Sequence, residues 1–228
     1  MTDTEDQASV GNGLRFGGAL LAVTAASTLI LVMHHPVLHA HHDMAEIATG
    51  IGALARMDRI VHGGLMATFA VQALGFYIFS IRLGFRNPAV AAGFLAFAAG
   101  VVVMVVPTTL DGFVTPDLAA ACQRAQGGCT VADASVLRLV AMMIQDFTKV
   151  ALVSISLGTA CWSLALIMRK GLASRSVGII GVVCAALPAS VLFFSDVYLQ
   201  PGNLAGIIAA QVVWGLTVAG LMIFGGLA

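Results

Sequence analysis

Six apolar runs divide the chain, five of them close to the twenty or so residues a helix needs to cross the hydrocarbon of a bilayer and the fourth longer. They fall at Leu14–Met33, Ile60–Ile81, Pro88–Leu110, Val136–Met168, Val177–Val197 and Leu204–Ala228. Apolar residues make up 59% of the 228 and charged residues 10%, with a mean hydropathy of +0.98. A soluble domain of this size could not hide that much apolar surface, so lipid must cover it. The fold class is all-α: a polytopic membrane helical bundle of about six transmembrane helices, forming a single domain over residues 14–228. Residues 1–13 are acidic, small and polar, and are expected to be disordered. Because that leader is acidic and the run after it exceeds a signal-peptide core of about 7–15 residues, the first run reads as an uncleaved span.

Charge orients the bundle. Arg82 and Arg86 flank one short connection, and Arg169, Lys170 and Arg175 flank another. The positive-inside rule puts both turns in the cytoplasm, with the two termini on the same side. Three connections then face outward, over residues 34–58, 111–135 and 198–203. A bacterial inner membrane with periplasmic loops is the expected setting. Partners are the bilayer and a membrane or periplasmic protein. The formal net charge is zero, with no basic patch to hold nucleic acid.

Cys122 and Cys129 enclose a short polar stretch in the middle outward connection. Their spacing suits a small disulfide ring in an oxidising compartment, the alternative being two free thiols. Cys161 and Cys184 sit inside spans and read as small packing residues.

All six histidines lie between His34 and His62, five of them within nine residues. Pro36 suits the first turn of a helix. A short amphipathic helix starting near Val37, lying in the membrane interface, would set His39, His42, Asp43 and Glu46 on one face at spacings of three and four. Ile47, Ile51 and Leu54 would then form the apolar face, with His41 turned elsewhere. His34 and His35 end the first span, and Asp58 and His62 form a further i, i+4 pair. Imidazole with carboxylate is a ligand set for a transition metal ion, copper or zinc before iron. The candidate ligands are His34, His35, His39, His42, His62, Asp43 and Glu46. In an enzyme, metal-activated water or a metal redox step would carry the chemistry, with Glu46 or Asp58 as general base. Asp111, Asp146, Lys149, Asp196 and Tyr198 are further polar candidates around the outer mouth. Asp146 and Lys149 either project beyond the lipid on an over-long fourth helix or lie at membrane depth as a functional pair. The inner half of the bundle offers little beyond Gln72, Gln211 and scattered hydroxyls.

Other chemistries fit less well. His34 and His39 match the HxxxxH box of membrane desaturases and hydroxylases, but those enzymes spread histidines over several cytoplasmic segments, whereas here nearly all share one outward segment. Haem is the less favoured cofactor: only His62 is placed for a ligand pair, and no CxxCH motif is present. The competing reading is a metal-free transporter or membrane assembly subunit, whose histidines sense pH or bind a partner.

Overall fold

The computed structural model describes residues 2–35, 44–125, 128–194, 199 and 201–225. The described elements are all helical: α1 (Thr2–Met33), α2 (Met44–Leu83), α3 (Pro88–Thr109), α4 (Thr115–Arg124), α5 (Val131–Ile167), α6 (Leu172–Phe194) and α7 (Pro201–Ile223), with a π turn, Leu110–Val114, joining α3 to α4. Six of the helical stretches are long and apolar enough to cross a membrane. This is the bundle that the hydropathy implied.

Two tight turns define one end. Gly84 and Gly171 take φ of +95° and +128°, a region in which a side chain is strained. Asn87 then caps α3, its side chain accepting from Ala89 N–H at 3.0 Å, and Pro88 occupies the first turn, where a missing N–H costs nothing.

At the opposite end, helix lengths diverge. α2 has 40 residues, and α5 and the continuous stretch Pro88–Arg124 have 37 each. These measure about 55–60 Å, against about 35 Å for a 23-residue helix such as α6 or α7 and a hydrocarbon core near 30 Å. Because the two tight turns hold α2 to α3 and α5 to α6 at one end, the excess length emerges at the other. There α2 packs on α4 through Ala48, Ile51, Ala119 and Cys122.

Three expectations are corrected at this end. First, the separate interfacial helix is not separate: from Met44 onward it is the outer part of α2, since no proline interrupts Ala48–Ile60. Second, the connection 111–135 is not a loop, because helix continues through Pro116 to Arg124. Asp111, Gly112 and Pro116 read locally as stop signals. The wider π turn absorbs them: Thr115 N–H bonds to Leu110 O, and the helix restarts with Pro116 in its first turn. Third, α1 begins at Thr2 rather than at the apolar run, in a segment without proline.

Cys122 and Cys129 form a disulfide, with Cα atoms 4.8 Å apart. α5 then starts with a reciprocal capping box. Thr130 Oγ1 accepts from Asp133 N–H, and the Asp133 carboxylate accepts from Thr130 N–H at 2.8 Å. Deeper in the bundle, Trp162 of α5 is fully buried and stacks on Phe76 with ring centroids 4.8 Å apart. Its indole N–H donates to Ser80 Oγ at 3.0 Å. α3 reaches α5 closely because Gly100 faces the backbone of Ala151 and Ile155, where a Cβ would clash.

Candidate metal centre

α1, α2 and the π turn converge just inside the long-helix end; α1 and the π turn each bring one side chain and α2 brings two. His34 and His35 terminate α1. His34 folds back on its own helix, Nδ1 donating to Ile30 O at 2.8 Å. That leaves His35 to turn inward, where its side chain is 17% exposed. On α2, His62 is buried at 3% exposure, one helical turn after Asp58.

The π turn supplies the third group. Its wider ring brings Asp111 to the two imidazoles, and Gly112 lies directly against His62. A Cβ on Gly112 would overlap the Cβ and Cγ of His62, so the close approach of α3 to α2 here requires glycine. π turns of this kind recur at functional sites because they redirect one or two side chains without ending the helix.

Three ligand atoms meet. His62 Nε2 lies 3.1 Å from Asp111 Oδ2, His35 Nε2 lies 3.3 Å from the same oxygen, and the two Nε2 atoms are 3.3 Å apart. The imidazoles meet edge to face at 79°. Asp58 completes the cluster, its carboxylate, His35 and His62 each offering a ligand atom within 4.8 Å of the others.

Proton positions follow from the other nitrogen of His62. Nδ1 lies 2.8 Å from the backbone carbonyl of Asp58, which can only accept. Nδ1 therefore carries the hydrogen, and in the neutral ring Nε2 presents a bare lone pair. That lone pair points at a carboxylate oxygen. One proton on His35 Nε2 can serve either neighbour, but His62 Nε2 and Asp111 Oδ2 still face each other as two acceptors. The arrangement calls for a cation: a further proton, or a metal ion.

Metal geometry fits the second case. Ligands about 2.0–2.1 Å from a tetrahedral ion stand about 3.3–3.4 Å from one another, and the observed triangle has edges of 3.1, 3.3 and 3.3 Å. The bond from His62 Nδ1 to a carbonyl is also what fixes ring orientation and tautomer in ligating histidines. With neutral imidazoles and ionised Asp58 and Asp111, the cluster carries two negative charges, which a divalent ion cancels.

The other candidates lie elsewhere. Glu46 is exposed in the first turn of α2, twelve residues and roughly 18 Å along the helix from Asp58. Asp146 is exposed and Lys149 half-buried on α5, which adds no ligand to this cluster. His39, His42, Asp43, Asp196 and Tyr198 lie outside the described residues. The meeting of Asp111 with His35 and His62 was not visible in the chain. Its one available trace is the Asp-Gly pair at the end of the third apolar run, in line with the Asp58–His62 pair opening the second.

No protein-family model matches the chain, and no curated protein or solved structure does either. Fold and site together define a multi-pass helical membrane protein with a His/Asp cluster that could hold a metal ion.

Proposed function

We propose that the protein is a membrane metalloprotein whose centre is held by His35, His62 and Asp111, with Asp58 beside it. Convergence of His62 Nε2, His35 Nε2 and Asp111 Oδ2 carries this reading. Two imidazoles with carboxylate oxygen suit zinc or Cu(II) better than Cu(I), which prefers thiolate and thioether. Basic residues at the tight-turn end support an outer, periplasmic position for the centre in an inner membrane.

Three protein ligands on one face of a tetrahedron leave a position for an exchangeable group, the pattern of catalytic rather than structural sites. A divalent ion held there supplies Lewis acidity to an oxygen of a substrate. Asp58 is the residue placed to take a proton beside it. Metal transfer to a partner uses the same open position, so turnover and handling share one centre.

Protein purified without chelators is expected to carry about one transition ion per chain by elemental analysis after dialysis. His62→Ala and Asp111→Ala should each lose it while the bundle stays folded. Asp58→Asn separates two roles: retained metal makes Asp58 a proton acceptor, and lost metal makes it a ligand. A folded wild-type protein that is metal-free and takes up neither zinc nor copper would reject the metal reading. The same three acceptors would then hold a second proton, and the cluster would act as a pH-sensing element of a transporter or assembly subunit.

A further inference from the structure

A second site, lined mostly by apolar side chains with a few polar groups among them, lies deeper in the bundle and shares no residue with the centre above. A cavity of about 30 Å³ is bounded by Thr28 of α1, Phe69 and Gln72 of α2, Met104 of α3, and Gln211 and Trp214 of α7. Thr28, Phe69 and Met104 each lie seven residues inward from His35, His62 and Asp111. The cavity therefore sits about 10 Å below the metal centre on three helices at once. Val32 and Leu65, both buried, occupy the intervening turns and keep the two sites apart.

Two of its lining residues carry donors with no partner among the described residues. Trp214 is 1% exposed and Thr28 is 4% exposed, and neither Trp214 Nε1 nor Thr28 Oγ1 has a hydrogen-bond partner among the described residues. The contrast with nearby groups is direct. Trp162, the other tryptophan, donates to Ser80 at 3.0 Å. Gln211 is fully engaged: it accepts from Thr159 Oγ1 at 3.1 Å and donates to Ser156 Oγ at 3.3 Å and Cys184 O at 3.4 Å. In the hydrocarbon region there is no bulk water to rescue an orphaned donor, which makes the pair at Thr28 and Trp214 costly if left empty-handed.

We infer that this cavity binds a pair of ordered waters, making it an interior hydration site within the membrane-spanning part of the bundle. The chemistry of the lining selects the occupant. Indole N–H is a donor only, so whatever sits against Trp214 must accept and cannot be a cation. No basic side chain lines the space to hold an anion. One water needs about 10–15 Å³ of such volume, so the cavity has room for about two. Each water accepts from one orphan, Trp214 or Thr28, and has protons to give to its neighbour and to the amide oxygen of Gln72. This joins α1, α2 and α7 through solvent, alongside the direct Gln211 bonds that join α5, α6 and α7.

The test uses the full chain in lipid nanodiscs with ¹⁵N-labelled tryptophan. Its two indole N–H signals are assigned through Trp162→Phe. Trp214 is expected to show a magnetisation-transfer cross-peak to water, and Trp162, bonded to Ser80, to show none. Thr28→Val keeps the side-chain shape and removes the hydroxyl. It should weaken the Trp214–water cross-peak and lower the melting temperature by a few degrees. A missing cross-peak at Trp214 would overturn the inference, as would Thr28→Val raising the melting temperature, since both describe a dry cavity. Cross-peaks from Trp214 to non-exchangeable protons of a co-purified molecule, persisting in D₂O, would overturn it by showing another occupant. Metal content is not read in this experiment, so its outcome is independent of the metal centre.

Discussion

His62 commits two nitrogens to two tasks. Nδ1 is tied to the carbonyl of Asp58, and Nε2 is thereby left without a hydrogen, facing Asp111 and His35. Protons and metal ions compete for that same lone pair. Metal affinity should accordingly fall on acidification, a trend that zinc titration at several pH values would read directly. Gly112 offers a second handle on the same ring. A Cβ at that position collides with the Cβ and Cγ of His62, within packed helices that cannot both yield. Gly112→Ala gains helix propensity of up to about 1 kcal/mol, but overpacking costs about 1–3 kcal/mol. The clash should win: the variant is expected to be less stable in thermal melts and to bind metal more weakly, because His62 is pushed off the triangle. Unchanged affinity in Gly112→Ala would mean that the ring has room to move.

At the scale of elements, the long-helix end depends on contacts that short-range signals do not encode. Six apolar runs and both basic turns were readable because hydropathy and charge act over the length of a span. Asp-Gly and Thr-Pro after the third run were read as a stop, as their local chemistry suggests. What carries the helix on is tertiary: a π turn seated on His62, then α4 packed on α2 through Ala48, Ile51, Ala119 and Cys122. The site was legible to the same degree. His35, His62, Asp58 and Asp111 all stood out as polar groups at one end, but only the helix register shows which of them meet. The disulfide Cys122–Cys129 closes the turn after α4, and a ring of that size contributes about 2–3 kcal/mol by loop entropy. Replacing both cysteines with serine should therefore loosen α4 first, and Arg59–Asp117, an exposed pair at 2.6 Å, adds too little to compensate. Hydrogen exchange should show faster exchange over Thr115–Arg124, with α3 still protected. Uniform loosening of α3 and α4 would show that the two behave as one cooperative unit.

For the whole molecule, the decisive property is which end faces which side. Three helices of about 55–60 Å cannot be contained in a core of about 30 Å without one end projecting. The tight turns at Gly84 and Gly171 leave little chain to project there, so the long end is the one that leaves the lipid. Arginine and lysine cluster at the tight-turn end, in Arg82, Arg86, Arg169, Lys170 and Arg175, and on the positive-inside rule we propose that end as the cytoplasmic one. Arg56, Arg59, Arg124 and Arg138 at the long end weigh against this, but they lie on helices stiffened by packing and a disulfide rather than in short free loops. A membrane-impermeant maleimide added to intact cells should therefore label Ala125→Cys and fail at Asn87→Cys and Gly171→Cys, while all three react after the membrane is opened. Native Cys122 and Cys129 are paired and Cys184 is buried, leaving Cys161 as the background to subtract with the unsubstituted protein. Labelling of Asn87→Cys in intact cells, with Ala125→Cys protected, would invert the bundle. The His/Asp centre would then face the cytoplasm, and its metal would be drawn from the cytoplasmic pool.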